Sequence, residues 1–149
     1  MSTPAPKQAA NKPTPTPKPR PIPKPTAGTK YFWDAAKRGK LALQYDPESK
    51  TYQFWPRTIS VTTGKRNLEW RDTSGKGEVY SFTVTHVPAT GFDGKAPYVV
   101  GLIELDEQVR IIGNILNIKP DDVKVGMRVK VMFEKLSDDI SYFAFEPDK

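Results

Sequence analysis

From residue 78 to 87 apolar and polar positions alternate with a period of two. Tyr80, Phe82, Val84 and His86 fall on one face, and Val79, Ser81, Thr83, Thr85 and Val87 on the other. That period predicts a strand with one buried face. Residues 98–105 are almost wholly apolar, as in a strand covered on both sides. Residues 109–115 follow the turn Asp106-Glu107-Gln108 as a third strand. Residues 128–136 alternate again with Val129, Val131 and Phe133 inward, and 140–145 follow Ser137-Asp138-Asp139 as a fifth. Pro120-Asp121-Asp122-Val123 predicts a single helical turn between the third and fourth strands. Five strands with a helical turn at that point is the order of an OB-fold barrel. An SH3-like barrel is the alternative topology, and neither names a function.

Upstream of the barrel the elements shorten. Residues 31–38 predict a helix: Thr29 can cap it, Ala35-Ala36 propagate it, Lys37-Arg38 suit its C-terminus and Gly39 can end it. Residues 40–45 and 51–55 predict strands around the turn Pro47-Glu48-Ser49, and 67–72 another. Tyr31-Phe32-Trp33 occupies more than half of a helical turn, so one or two rings meet the body and a third is left for a partner. The competing reading places all three in the core. Ser74-Gly75-Lys76-Gly77 reads as a turn entering the barrel and is too short for a phosphate loop.

Charge and proline divide the chain. Residues 1–30 hold six Lys or Arg, no acid, and nine of the 15 prolines. The remainder balances 17 basic against 17 acidic residues, so the whole net charge of +6 belongs to the tail. Alternating proline from 13 to 25 favours an extended, unpacked segment. The layout expected is a disordered basic Pro-rich tail at 1–30, a helix at 31–39, a small lobe at 40–66 and a barrel domain at 67–149. The basic residues of the tail are not followed by the apolar run of a secretory signal, and no stretch is a membrane span. The expectation is a cytoplasmic protein with no membrane partner.

The chemistry on offer is sparse. There is no cysteine and one histidine, His86. Covalent acyl transfer needs an activated nucleophile beside a base, and neither is paired here. His86 is either a structural hydrogen-bonder or a contact at the barrel rim. Residues 87–97 form the most suggestive loop: Gly91 and Gly94 permit movement, Phe92 offers an apolar tip and Lys95 a charge for a phosphate. An ordinary solvated connection is the bland reading. Arg57 is a second candidate for phosphate or partner contact. Asp46 and Ser49, then Ser60 and Thr63, are short polar residues with two residues between the members of each pair. That is the spacing of a four-cysteine zinc knuckle pair. Hydroxyls are poor zinc ligands, and chance spacing is the simpler reading from these residues alone.

A wider set of motifs carries a resemblance. It comprises Phe32-Trp33, Gly39-Lys40-Leu41, Leu43-Gln44, Tyr52-Gln53-Phe54 and Pro56-Arg57. Leu68-Glu69-Trp70, Ser74 to Gly77 and Val79 to Val84 with His86 follow, then Pro97-Tyr98-Val99-Val100, Leu102 to Asp106 and Gly126-Met127-Arg128-Val129. Over residues 31–145 this resembles the acyl-CoA-associated proteins called domain of unknown function thirty-five. The resemblance implies an N-terminal helix, a rubredoxin-like zinc ribbon and a C-terminal OB fold, so a mainly β chain. It places the four zinc ligands at Asp46, Ser49, Ser60 and Thr63, all replaced, and so implies a degenerate, metal-free ribbon.

The resemblance also implies a non-catalytic accessory subunit. Its partner is a thiolase-like enzyme: a thiolase, an acyltransferase, or an aldolase that cleaves steroid side chains. The complex is expected to be a heterotetramer built on a thiolase-like dimer, with a coenzyme A thioester as its substrate and no cofactor held by this chain. Tyr31, Phe32, Trp33, Arg57, His86, Phe92, Lys95 and Tyr98 are the residues expected to meet acyl-CoA or the partner. The rival reading is a single-stranded nucleic-acid binder, since OB folds stack bases on aromatics in basic grooves. The neutral body and the lack of Lys or Arg interleaved with aromatics argue against it.

Overall fold

The computed structural model describes residues 19–149. Helix α1 spans Lys30–Lys37, followed by β1 (Ala42–Asp46), β2 (Thr51–Gln53), β3 (Glu69–Asp72), β4 (Lys76–Thr85), β5 (Tyr98–Leu105), β6 (Arg110–Ile115), β7 (Arg128–Lys135) and β8 (Ser141–Pro147). A 3-10 turn at Pro120–Asp122 lies between β6 and β7. Strands β1 to β3 form a small antiparallel sheet in the order β2-β1-β3, and the rest close a barrel in the order β4-β5-β6-β8-β7. That is the OB-fold order, with β4 paired to β7 at Gly77↔Val129 and β6 meeting β8 in parallel at Ile115↔Phe145. No helix among the described residues is long and apolar enough to cross a membrane.

Strand β5, expected to be covered on both sides, instead alternates half-buried with buried residues, whereas the alternation predicted for β7 is met. Val99, Ile103, Leu105 and Val129 are buried, and Val131 and Phe133 pack half-buried against them. The face assignment of β4 is not. A bulge between Val79 and Ser81 leaves Tyr80 without a partner in the β5 register. The phase therefore changes within the strand: Gly77 and Val79 point inward before the bulge, Phe82 and Val84 after it. Tyr80 is expelled to the surface, where the Arg110 guanidinium lies 3.6 Å from its ring centroid. Gly77 lets β4 enter the barrel, since a Cβ there would sit 2.3 Å from the Glu104 carbonyl oxygen.

Helix α1 joins the two sheets. Phe32 is 1% exposed and its ring meets Phe54 of the lobe at 5.8 Å and Phe143 of β8 at 5.7 Å. Ala35 and Ala36 let the helix approach closely and are also buried. Thr29 does not cap the helix with its side chain. Its Oγ1 instead accepts the Thr26 N–H at 2.9 Å, because the chain arrives through a Thr26–Thr29 turn.

Within the tail expected to be unpacked over 1–30, most of residues 19–30 are exposed, but Arg20 and Pro23 are half-buried against the body. Arg20 pairs with Glu134 at 3.3 Å and lies against the barrel end. The reason is local: prolines cannot build a core, but an arginine between aromatic rings can anchor an extended segment. The expectation for 1–18 lies outside the described residues.

Candidate functional site

The small lobe, where the resemblance places a zinc ribbon, is organised by a carboxylate. Asp46 is 1% exposed. Its Oδ1 accepts the Glu48 N–H at 2.9 Å, the Ser49 N–H at 3.4 Å and the Asn67 Nδ2 at 3.2 Å, and its Oδ2 accepts the Thr63 hydroxyl at 2.7 Å. The Ser60 Oγ accepts the amides of Thr62 and Thr63, both at 3.1 Å. Ser60 first, then Thr63 and the two knuckle amides, hold the Asp46 carboxyl well below the usual carboxylate range, against the opposing effect of burial. Ser49 faces away, its hydroxyl 2.7 Å from that of Thr51. One saturated carboxylate and three hydroxyls do not fit zinc: the lone pairs a metal needs are taken by N–H and O–H donors. Gln44 and Gln53 cross-link the same lobe, with Gln53 Nε2 donating to Gln44 Oε1 at 3.1 Å. Asn67 was not singled out from the sequence, and Gln44 and Gln53 entered only as members of the resemblance motifs, without this pairing.

The sequence-selected contact residues separate into groups. Phe32 is core and has no surface to offer a ligand or partner, which corrects its inclusion among the contact residues. Tyr31 stacks on Trp70 at 5.0 Å and remains 43% exposed. Arg57 is exposed, and its backbone is held by Gln44 at 2.7 and 2.8 Å. His86 and Lys95 are exposed at opposite ends of the β4–β5 loop.

Trp33, Phe92 and Tyr98 are brought together. Phe92 stacks on Tyr98 at 4.9 Å, and Phe92 and Trp33 line an apolar pocket of about 200 Å³ with Leu136, Ile140 and Phe143. The rest of its wall was missed by the sequence reading. Arg20, Pro21 and Pro23 come from the tail, and Tyr142 from β8. The Tyr142 hydroxyl donates to the Asn114 Oδ1, whose amide donates to the Val99 carbonyl at 3.2 Å. Burial pushes the Tyr142 phenol up.

A second surface lies outside the barrel on β5 and β6, the face that OB folds commonly offer to ligands. Leu102, Ile112, Phe54 and Trp55 line it with Arg110. Ile112 is 65% and Trp55 56% exposed. Arg110 is paired with Glu104 at 2.9 Å.

The family described as the ChsH2 C-terminal OB-fold domain matches residues 70–134. A DUF35 domain-containing scaffold protein of Methanocaldococcus jannaschii is 44% identical over 88 residues, 58% of this chain and 62% of that protein. One of Methanothermobacter thermautotrophicus is 37% identical over 102 residues, 63% of this chain and 77% of that one. The 3-oxo-4,17-pregnadiene-20-carboxyl-CoA hydratase alpha subunit of Mycobacterium tuberculosis is 32% identical over 81% of this chain. The chain spans only 38% of that subunit's length and less than two thirds of the Methanocaldococcus protein's. A solved chain of an Ltp2-ChsH2(DUF35) aldolase superposes with a TM-score of 0.76 at 28% identity, covering 85% of this chain and 98% of its own. With its OB barrel and these relatives, the chain belongs to the DUF35 family.

Proposed function

We propose that this chain is a non-catalytic accessory subunit of an enzyme that acts on acyl-CoA thioesters, with a thiolase-like catalytic subunit as its partner. The observation that carries the reading is the apolar outer face of β5 and β6. Ile112 and Trp55 are large, exposed and adjacent, and the cation beside them is already paired. A surface of this kind gains by being covered by protein. A strand of nucleic acid needs clustered, unpaired Lys or Arg, so this face does not favour the rival reading. The relatives support the acyl-CoA assignment: two are named scaffold proteins, one a CoA hydratase subunit, and the structural neighbour an aldolase assembly. The nucleophile belongs to the partner, since this chain has no cysteine and its one histidine is exposed. The thioester is bound by the complex, with Phe92, Lys95 and Tyr98 on this chain's side and Tyr31, Trp33, Arg57 and His86 as further contacts. Two such subunits on a thiolase-like dimer give a heterotetramer.

The test is affinity capture from the native host with identification by mass spectrometry. A thiolase-like protein at equal stoichiometry is expected. Ile112→Glu should lose it while keeping the wild-type melting temperature, because an exposed substitution costs within about 0.5 kcal/mol. Recovery of nucleic acid, or equal capture by Ile112→Glu, refutes the proposal.

A further inference from the structure

The segment Arg20-Pro21-Ile22-Pro23 is held at both ends of its contact with the barrel. The Arg20 guanidinium lies 4.5 Å from the Phe92 ring centroid and 4.8 Å from that of Tyr142, sandwiched between loop and strand. It also reaches Glu134 at 3.3 Å, and its side chain is only 15% exposed. Pro21 and Pro23 border the apolar pocket beside Trp33 and Phe143. The backbone comes so close to the Phe92 loop that a Cβ on Gly91 would lie 2.6 Å from the Arg20 Cα.

These are the parts of a polyproline-recognition groove: aromatic walls, alternate prolines with pre-set φ, and a charged residue that fixes direction. The walls are positioned in advance. Asn114 orients Tyr142, and Tyr98 backs Phe92. Of the tail's basic residues described here, Lys24 is exposed, whereas Arg20 sits in a planar slot that suits a guanidinium and not an ammonium. A solvated linker has no need of that arrangement.

We propose that the groove between the Phe92 loop, α1 and β8 is a recognition site for a proline-rich segment bearing an arginine, and that Arg20–Pro23 of the same chain is its occupant. The strap closes the Phe92 loop against the barrel. Any second proline-rich segment, or any apolar ligand entering beside Trp33, has to displace it. This holds whichever enzyme the chain assembles with.

The test uses the full chain and amide hydrogen exchange read by NMR. In the loop, the Phe92 N–H is bonded to the Ala89 carbonyl at 2.9 Å and the Lys95 N–H to the Phe92 carbonyl at 3.0 Å. Arg20→Ala should speed exchange of both amides about tenfold or more, because it removes two ring contacts and an ion pair. Arg20→Lys should fall between that variant and the wild type, keeping the charge toward Glu134 but losing the stack. Lys24→Ala should stay within about twofold of the wild type. A synthetic peptide of residues 16–26 should bind the Arg20→Ala chain saturably, shifting the Trp33 indole resonance. It should bind the wild type at least about tenfold more weakly, because there the groove is filled in cis. Unchanged exchange in Arg20→Ala, or equal binding of peptides with and without the arginine, overturns the proposal. Loop protection that disappears on dilution reassigns the occupant to a second copy and overturns the cis assignment.

Discussion

Removing the Phe32 ring should be the most damaging single change in the α1 region. The ring is 1% exposed and meets three others: Trp33 at 5.1 Å, Phe143 at 5.7 Å and Phe54 at 5.8 Å. Two of these contacts are edge-to-face, at 84° and 86°. Truncating a buried phenylalanine to alanine costs about 3–5 kcal/mol, from lost transfer energy and the cavity left behind. Each edge-to-face pair contributes about 0.5–1.5 kcal/mol beyond area. The partners come from the helix, the lobe and the barrel, so no one element can move in to fill the gap. We therefore expect about 4 kcal/mol for Phe32→Ala, against a total of about 5–15 kcal/mol for a domain. Equilibrium urea unfolding measures it. With a slope of about 2 kcal/mol/M the midpoint should fall by about 2 M. Tyr31→Ala, one residue away, is the control. Tyr31 is 43% exposed and stacks on one ring, so about 1 kcal/mol or less is expected. Equal midpoints for the two variants, or a loss below about 1 kcal/mol for Phe32→Ala, would refute the docking of α1 through Phe32.

Asp46 sets the acid stability of the lobe. Its folded-state pKa is depressed, so the stabilisation is complete above the unfolded value of about 3.9 and is lost as pH falls below it. The melting-temperature advantage of the wild type over Asp46→Asn should be constant from about pH 7 to 5 and shrink below about pH 4. Parallel curves for the two proteins throughout that range would contradict the hub role. Purified protein should carry no stoichiometric zinc by elemental analysis, and a chelator should leave its melting temperature unchanged. One zinc per chain would overturn the hydrogen-bonded reading of Asp46, Ser49, Ser60 and Thr63.

Much of this architecture is decided by short-range pattern. The period of two in β7, the apolar run of β5 and the turn at Pro120 are local and put five strands and a helical turn in order, while the pairing that closes them as an OB rather than an SH3-like barrel is tertiary. The absence of cysteine is equally plain in the sequence. What the chain alone could not decide are pairings across long separations. The bulge at Tyr80 depends on how β4 registers with β5, and it reverses which residues of β4 face the core. Whether Tyr31 or Phe32 is buried depends on the angle at which α1 meets two sheets. Asn67 reaches Asp46 across 21 residues, and Arg20 reaches Glu134 across 114. Arginine among prolines reads as solvated chain until the tertiary fold sets two aromatic rings and a carboxylate around it. Local propensity reports the conformation a segment prefers, whereas burial and ion pairing depend on neighbours that only the closed barrel supplies.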